Sequence, residues 1–190
     1  MTDTALKPVL ILLTEGFADW ETGLLAAAAM NDGLEIRHAS PDGDDVTSIG
    51  GMRVTGLELF APAGDEVIVI CGGMIWDRPE APALGPVLGD ARAKGAPIAA
   101  ICGGVAALAR AGLLDGVRHT SNARAWLAGV APDYAGANLH EDSPRALSDR
   151  GIITAAGIMP VSFALEVLAA AGFSAEKVDE YRAMLGAEHG

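Results

Sequence analysis

Short apolar runs bounded by turn residues alternate along this chain with longer alanine-rich stretches, the pattern of β and α units arranged around a parallel sheet. Two runs, Val9-Leu10-Ile11-Leu12-Leu13 and Val67-Ile68-Val69-Ile70, are apolar at every position. Strands covered by helices on both faces need that composition, so both are expected to be central. The pattern predicts strands over 8–14, 34–39, 66–71, 97–101, 119–121 and 151–154. It predicts helices over 21–32, 81–94, 103–111, 161–171 and 175–185, with Gly33, Gly95, Gly112 and Gly172 as C-terminal stops. Residues 46–55 read as a small hairpin around Gly50-Gly51, annexed to the sheet. The fold class is α/β, with a mostly parallel sheet between helices.

Composition narrows the picture. With 190 residues, 51% of them hydrophobic, one domain spanning 1–190 is expected, and such a chain buries enough surface to fold without metal or disulfide. Its two cysteines, Cys71 and Cys102, are not a framework. Thirteen Lys and Arg against 25 Asp and Glu give a net charge of −12, which argues against nucleic acid and anionic membrane surfaces as partners. The longest nearly apolar run, 96–109, is interrupted by Pro97, Gly103 and Gly104 and falls short of the roughly 18 residues that span a bilayer. Met1-Thr2-Asp3-Thr4 lacks the basic start of a secretory signal, so the expected compartment is the reducing cytoplasm. The acidic piece Pro41-Asp42-Gly43-Asp44-Asp45 reads as a solvated loop without the further ligands of a calcium site, and no metal or cofactor is expected.

Ala100-Ile101-Cys102-Gly103-Gly104, between a predicted strand and a predicted helix, has the small-x-nucleophile-x-small form of a nucleophile elbow. Its place at a helix N-terminus favours a thiolate at Cys102. A buried cysteine at a tight turn would give the same local pattern. In open α/β sheets ligands bind beyond the carboxyl ends of the strands, and polar and glycine residues gather there: Glu15 and Trp20 after the first strand, Gly72, Gly73 and Trp76 after the third, Cys102 and Gly103 after the fourth, and His119 to Asn122 after the fifth. Gly72-Gly73 and the elbow can turn N–H groups toward an oxyanion. Glu15 is the carboxylate expected nearest Cys102; two charges that close would repel, so the pair predicts a protonated Glu15 donating to the thiolate. The alternative is a surface acid ahead of a helix. Trp20 and Trp76 are candidate pocket walls, packing being the alternative, while Trp126 is expected in the core. A Cys71–Cys102 disulfide is disfavoured by elbow geometry.

Three segments carry a resemblance to the DJ-1/ThiJ/PfpI superfamily: Leu13-Thr14-Glu15-Gly16-Phe17-Ala18-Asp19-Trp20-Glu21, Ile70-Cys71-Gly72-Gly73, and Ala99-Ala100-Ile101-Cys102-Gly103-Gly104 with its continuation Leu108-Ala109-Arg110-Ala111-Gly112-Leu113-Leu114-Asp115-Gly116. His119-Thr120-Ser121-Asn122 and Ile153-Thr154-Ala155-Ala156-Gly157 follow at matching places. The resemblance implies a flavodoxin-like sandwich of the glutamine amidotransferase-like type, an elbow cysteine at Cys102, a contacting glutamate at Glu15, backbone donors at Gly73 and Gly103, and a homodimer. The histidine that directly follows the cysteine in the protease-like branch is here Gly103. A later histidine of another branch corresponds to Asn122, with His119 three residues earlier.

The leading expectation is a Cys102-dependent enzyme, hydrolase or glyoxalase-like lyase, acting on a small carbonyl or amide compound. The alternative is an oxidative-stress sensor or protective protein whose Cys102 becomes a sulfinic acid without turnover. A glutamine amidotransferase-like role needs a late His-x-Glu, which His140-Glu141-Asp142 and Glu188-His189 do not supply. Flavin phosphate would be repelled by Glu15, Asp19 and Glu21 in the first loop.

Overall fold

A computed structural model describes residues 5–187; Met1-Thr2-Asp3-Thr4 and His189 lie outside them. The strands are β1 (Val9–Leu12), β2 (Ile36–Ser40), β3 (Val46–Thr47), β4 (Arg53–Val54), β5 (Glu58–Leu59), β6 (Val67–Ile70), β7 (Ile98–Ile101), β8 (Leu147–Asp149) and β9 (Ile152–Ala155). The helices are α1 (Asp19–Asn31), α2 (Gly85–Ala93), α3 (Val105–Arg110), α4 (Arg124–Val130), α5 (Pro160–Ala170) and α6 (Ala175–Gly186). Seven strands form one sheet in the order β5-β2-β1-β6-β7-β9-β8, parallel throughout except for β8, which runs antiparallel to β9.

The continuous apolar strands are explained by two cores. Side chains alternate across a strand, so Val9 and Ile11 of β1, Val67 and Val69 of β6, and Ala99 and Ile101 of β7 pack on one face with Leu25, Phe163 and Val167 from α1 and α5. Leu10, Leu12, Ile68, Ile70, Ile98 and Ala100 pack on the other, with Leu88, Val105 and Leu127 from α2, α3 and α4. This is the doubly wound, flavodoxin-like arrangement. Among the described residues no helix is long and apolar enough to cross a membrane.

Four expectations are corrected. Residues 119–121 form no strand: β9 already occupies the sheet position beside β7, and the Thr120 N–H goes to the Thr154 hydroxyl at 2.9 Å, leaving a single bridge between His119 and His140. The helix predicted over 81–94 begins at Gly85: Pro79 and Pro82 have no N–H to give to a helical ladder, whereas Pro86 sits in the first turn, where none is needed. The hairpin of β3 and β4 does form, but it makes its own two-stranded sheet and hydrogen-bonds to the loop after β1, through Gly16 N–H to Thr47 O and Ile49 N–H to Phe17 O, each 2.8 Å. Strands β5 and β8 were not expected; β8 turns into β9 through Arg150 and Gly151, both at positive φ (49° and 75°), the signature of a tight two-residue hairpin turn.

Candidate active site

Cys102 follows β7 with φ 55°, a left-handed conformation that costs a non-glycine residue on the order of 1–3 kcal/mol. The sharp turn requires close backbone approach on its far side. A Cβ on Gly104 would stand 2.6 Å from the Ile70 carbonyl oxygen, and one on Gly103 would stand 2.8 Å from that of Gly73. Only glycine fits either place, which is the physical content of the elbow motif. The sulfur so presented lies in a cleft of about 140 Å³, at the carboxyl ends of the strands.

The carboxylate at the sulfur is Glu21. Its side chain is fully buried, its Oε2 accepts the Gly72 N–H at 2.7 Å, and its Oε1 is buried with no hydrogen-bond partner. Oε1 faces the cysteine, since a Cβ on Gly157 would meet Cys102 Sγ at 2.8 Å and Glu21 Oε1 at 3.0 Å. Burial holds the Glu21 carboxyl above its usual range. Glu15 does not make this contact: it is exposed, and its Oε2 accepts the Thr47 N–H at 2.8 Å, tying the hairpin to the first loop. The sequence signal that separates the two lies in α1, where Glu21 falls on the stripe of Leu25, Ala28 and Ala29 that faces the core. A glutamate on that stripe needs a buried partner, whereas Glu15 precedes the helix.

Asn122 donates from Nδ2 to Cys102 Sγ at 3.2 Å and accepts the Gly157 N–H on Oδ1 at 2.9 Å. Burial first, and then the charge of Glu21, push the Cys102 thiol up to about 11, against the pull of Asn122 and of the Gly103 N–H. The lowered pKa expected at the start of a helix is therefore overridden by desolvation.

Gly73 and Gly103 border the cleft, whereas the Gly72 N–H is engaged by Glu21 and is not free for an oxyanion. Trp20, 53% exposed, lines the cleft and donates from Nε1 to the Gly157 carbonyl at 3.0 Å. Trp76 does not line it: the ring is wholly buried under Gly103, with Nε1 donating to the Cys71 carbonyl at 2.9 Å. Trp126, expected in the core, is instead a wall of the cleft and donates from Nε1 to Asp77 Oδ1 at 2.9 Å. His119 is also absent from the cleft. It is buried between the Val117 carbonyl, 2.7 Å from Nδ1, and the Tyr134 hydroxyl on Nε2. Cys71 is buried, and both cysteines are free thiols. Among the described residues no three His, Cys, Asp or Glu side chains converge as metal ligands would.

The arrangement is a cysteine thiol with one side-chain amide donor, one buried acid and two glycine backbones at its mouth. A model of the DJ-1/PfpI family matches residues 7–170. Two curated relatives from Bacillus subtilis (strain 168), each called an uncharacterized protease, are similar over most of their length. YoaZ is 32% identical over 174 residues, 85% of this chain and 82% of its own; YdeA is 34% identical over 165 residues, 83% and 80%. Among solved structures, the DJ-1 superfamily protein Atu0886 from Agrobacterium tumefaciens superposes with a TM-score of 0.90 at 42% identity, covering 97% of this chain and 100% of that one. A thiJ/pfpI family protein from Bacillus anthracis gives 0.84 at 29% identity, covering 95% and 92%. With that family model covering residues 7–170 and curated relatives of 32% and 34% identity over most of their length, this chain belongs to the DJ-1/PfpI family.

Proposed function

We propose that the chain is a one-domain, Cys102-dependent enzyme acting on small carbonyl or amide compounds, with Glu21 in the role first expected of Glu15. The observation that carries this reading is the buried Glu21 Oε1, unpartnered beside Sγ while Oε2 is held by Gly72. A neutral Glu21 carries its proton on Oε1 and donates it to the sulfur. Protonation also removes the charge that opposes the thiolate, so the acid turns from a hindrance into a support.

In the step this allows, a thiolate lone pair forms the carbon–sulfur bond and the carbonyl π pair moves onto oxygen. Gly73 and Gly103 line the cleft beside the sulfur, and in this reading their N–H groups take the negative charge that develops. The Glu21 proton then passes to the oxyanion, leaving a neutral adduct and a carboxylate able to take a proton back. The curated relatives' names suggest peptide hydrolysis, but Gly103 occupies the place of the adjacent histidine and no histidine lines the cleft, which favours a small activated carbonyl over a peptide bond.

Methylglyoxal turnover by wild type, Cys102→Ala and Glu21→Gln tests the reading: loss of at least a hundredfold in Cys102→Ala is expected, and equal rates in wild type and Cys102→Ala would overturn it. The oxidative alternative is favoured by one observation. Asn122 Nδ2 and a neutral Glu21, both placed at Sγ, would hydrogen-bond sulfinate oxygens equally well. Mass spectrometry after peroxide treatment, with no turnover of any carbonyl, would support it.

A further inference from the structure

The cleft has a charge character that the chemistry at the sulfur does not use. Besides Cys102, Glu21, Asn122 and Asp77, its lining is glycine, alanine and apolar side chains with two tryptophans, and among the described residues no lysine, arginine or histidine lines it. Asp77 stands at its rim, at the end of the short 3-10 turn Met74–Asp77. The Trp126 indole N–H fixes Asp77 Oδ1 at 2.9 Å. Among the described residues Oδ2 accepts no hydrogen bond, and Asp77 forms no ion pair. The neighbouring Arg110 is held elsewhere, Nη2 on the Trp76 carbonyl at 2.9 Å and Nε on the Val130 carbonyl at 3.1 Å, and it lines the adjacent cavity.

Trp20 and Trp126 are each fixed by their indole N–H, so their ring positions are set by the protein and not by a ligand. Aromatic faces attract cations, and an aspartate with a free oxygen completes the same preference. An anionic substrate would meet Asp77 with no cation in the cleft to offset it.

We propose that Asp77, with the rings of Trp20 and Trp126, makes the Cys102 cleft selective for small carbonyl compounds that carry an amino group or other cationic nitrogen, and against those that carry a carboxylate. Asp77 is thus a specificity-determining residue. The proposal rests on the reading of Cys102 as the nucleophile, but its test does not require turnover.

Cys102 is labelled with three methanethiosulfonates that share one reactive group: the aminoethyl (cationic), methyl (neutral) and sulfonatoethyl (anionic) reagents. The site of labelling is read by mass spectrometry in a Cys71→Ser background. In the otherwise wild-type protein the aminoethyl reagent is expected to react faster than the sulfonatoethyl one. Asp77→Asn keeps an acceptor for Trp126 and should reduce that ratio roughly threefold to tenfold. The control is Asp65→Asn, an equal change in net charge at the amino end of β6, opposite the cleft; there the ratio should stay fixed. Trp126→Leu should slow the aminoethyl reagent relative to the methyl one. A ratio unchanged by Asp77→Asn, or changed equally by Asp65→Asn, overturns the proposal. Failure of the enzymatic reading would show separately, as equal methylglyoxal rates in wild type and Cys102→Ala, and would leave these labelling ratios measurable.

Discussion

Asn122 holds the Cys102 sulfur with its amide N–H at 3.2 Å while its own oxygen is fixed by the Gly157 N–H at 2.9 Å. The bond to sulfur favours the thiolate, against burial and the charge of Glu21, which together set the thiol at about 11. Asn122→Leu should raise the thiol further and slow alkylation by iodoacetamide at pH 8 about threefold. An unchanged pH profile of labelling would show that this bond contributes nothing to the thiolate.

Glu21 gives a stability signature of defined sign. Its folded-state pKa lies above the ordinary 4.5, so the stabilisation is complete below that pH and is lost as pH rises through the raised value, where a buried charge forms. Urea midpoints measured upward from pH 4.5 should fall more steeply in wild type than in Glu21→Gln. Glu21→Leu should also lose about 1–3 kcal/mol, because the buried Gly72 N–H loses its acceptor. Parallel wild-type and Glu21→Gln curves would mean that the acid is already charged in the folded state.

The two buried histidines act in the opposite direction. His119 and His140, their rings 5.5 Å apart, are both held below the ordinary 6.5 by burial. The unfolded chain takes up their protons more readily, so their contribution is complete above pH 6.5 and is lost as pH falls below it. Midpoints at pH 7.5 and 5.5 should differ in wild type and differ less in His140→Gln. The same difference between the two pH values in wild type and His140→Gln would exclude the effect.

Two glycine substitutions should separate folding from function. Gly104→Ala sets a Cβ 2.6 Å from the Ile70 carbonyl, backbone that cannot move aside, and should cost about 1–3 kcal/mol or more. Gly157→Ala sets one 2.8 Å from the Cys102 sulfur, at the edge of the cleft, and should abolish labelling of Cys102 at a smaller loss of stability. Thermal melts and labelling of both variants make the comparison; equal effects on both readouts would contradict it.

The α/β class, the central strands and Cys102 at the elbow were legible because each rests on local pattern: continuous apolar runs, and glycines where no side chain fits. Glu15 and Glu21 both sit near the end of β1, and only the helical stripe that includes Leu25 tells them apart. Strands β5 and β8, of two and three residues, are too short for a periodicity to register. The cleft walls could not be read locally either. Trp76 and Trp126 are both aromatic residues in short helical turns, and which one faces solvent depends on Gly103 packing over the first and Asp77 reaching the second.

Gly157 has a mechanical consequence. Its carbonyl is gripped by Trp20 and its N–H by Asn122, so one residue is strung between an outer wall of the cleft and the group that holds the sulfur. The cleft wall and the donor to the sulfur therefore share a single backbone unit, and the place of each is set by the same residue.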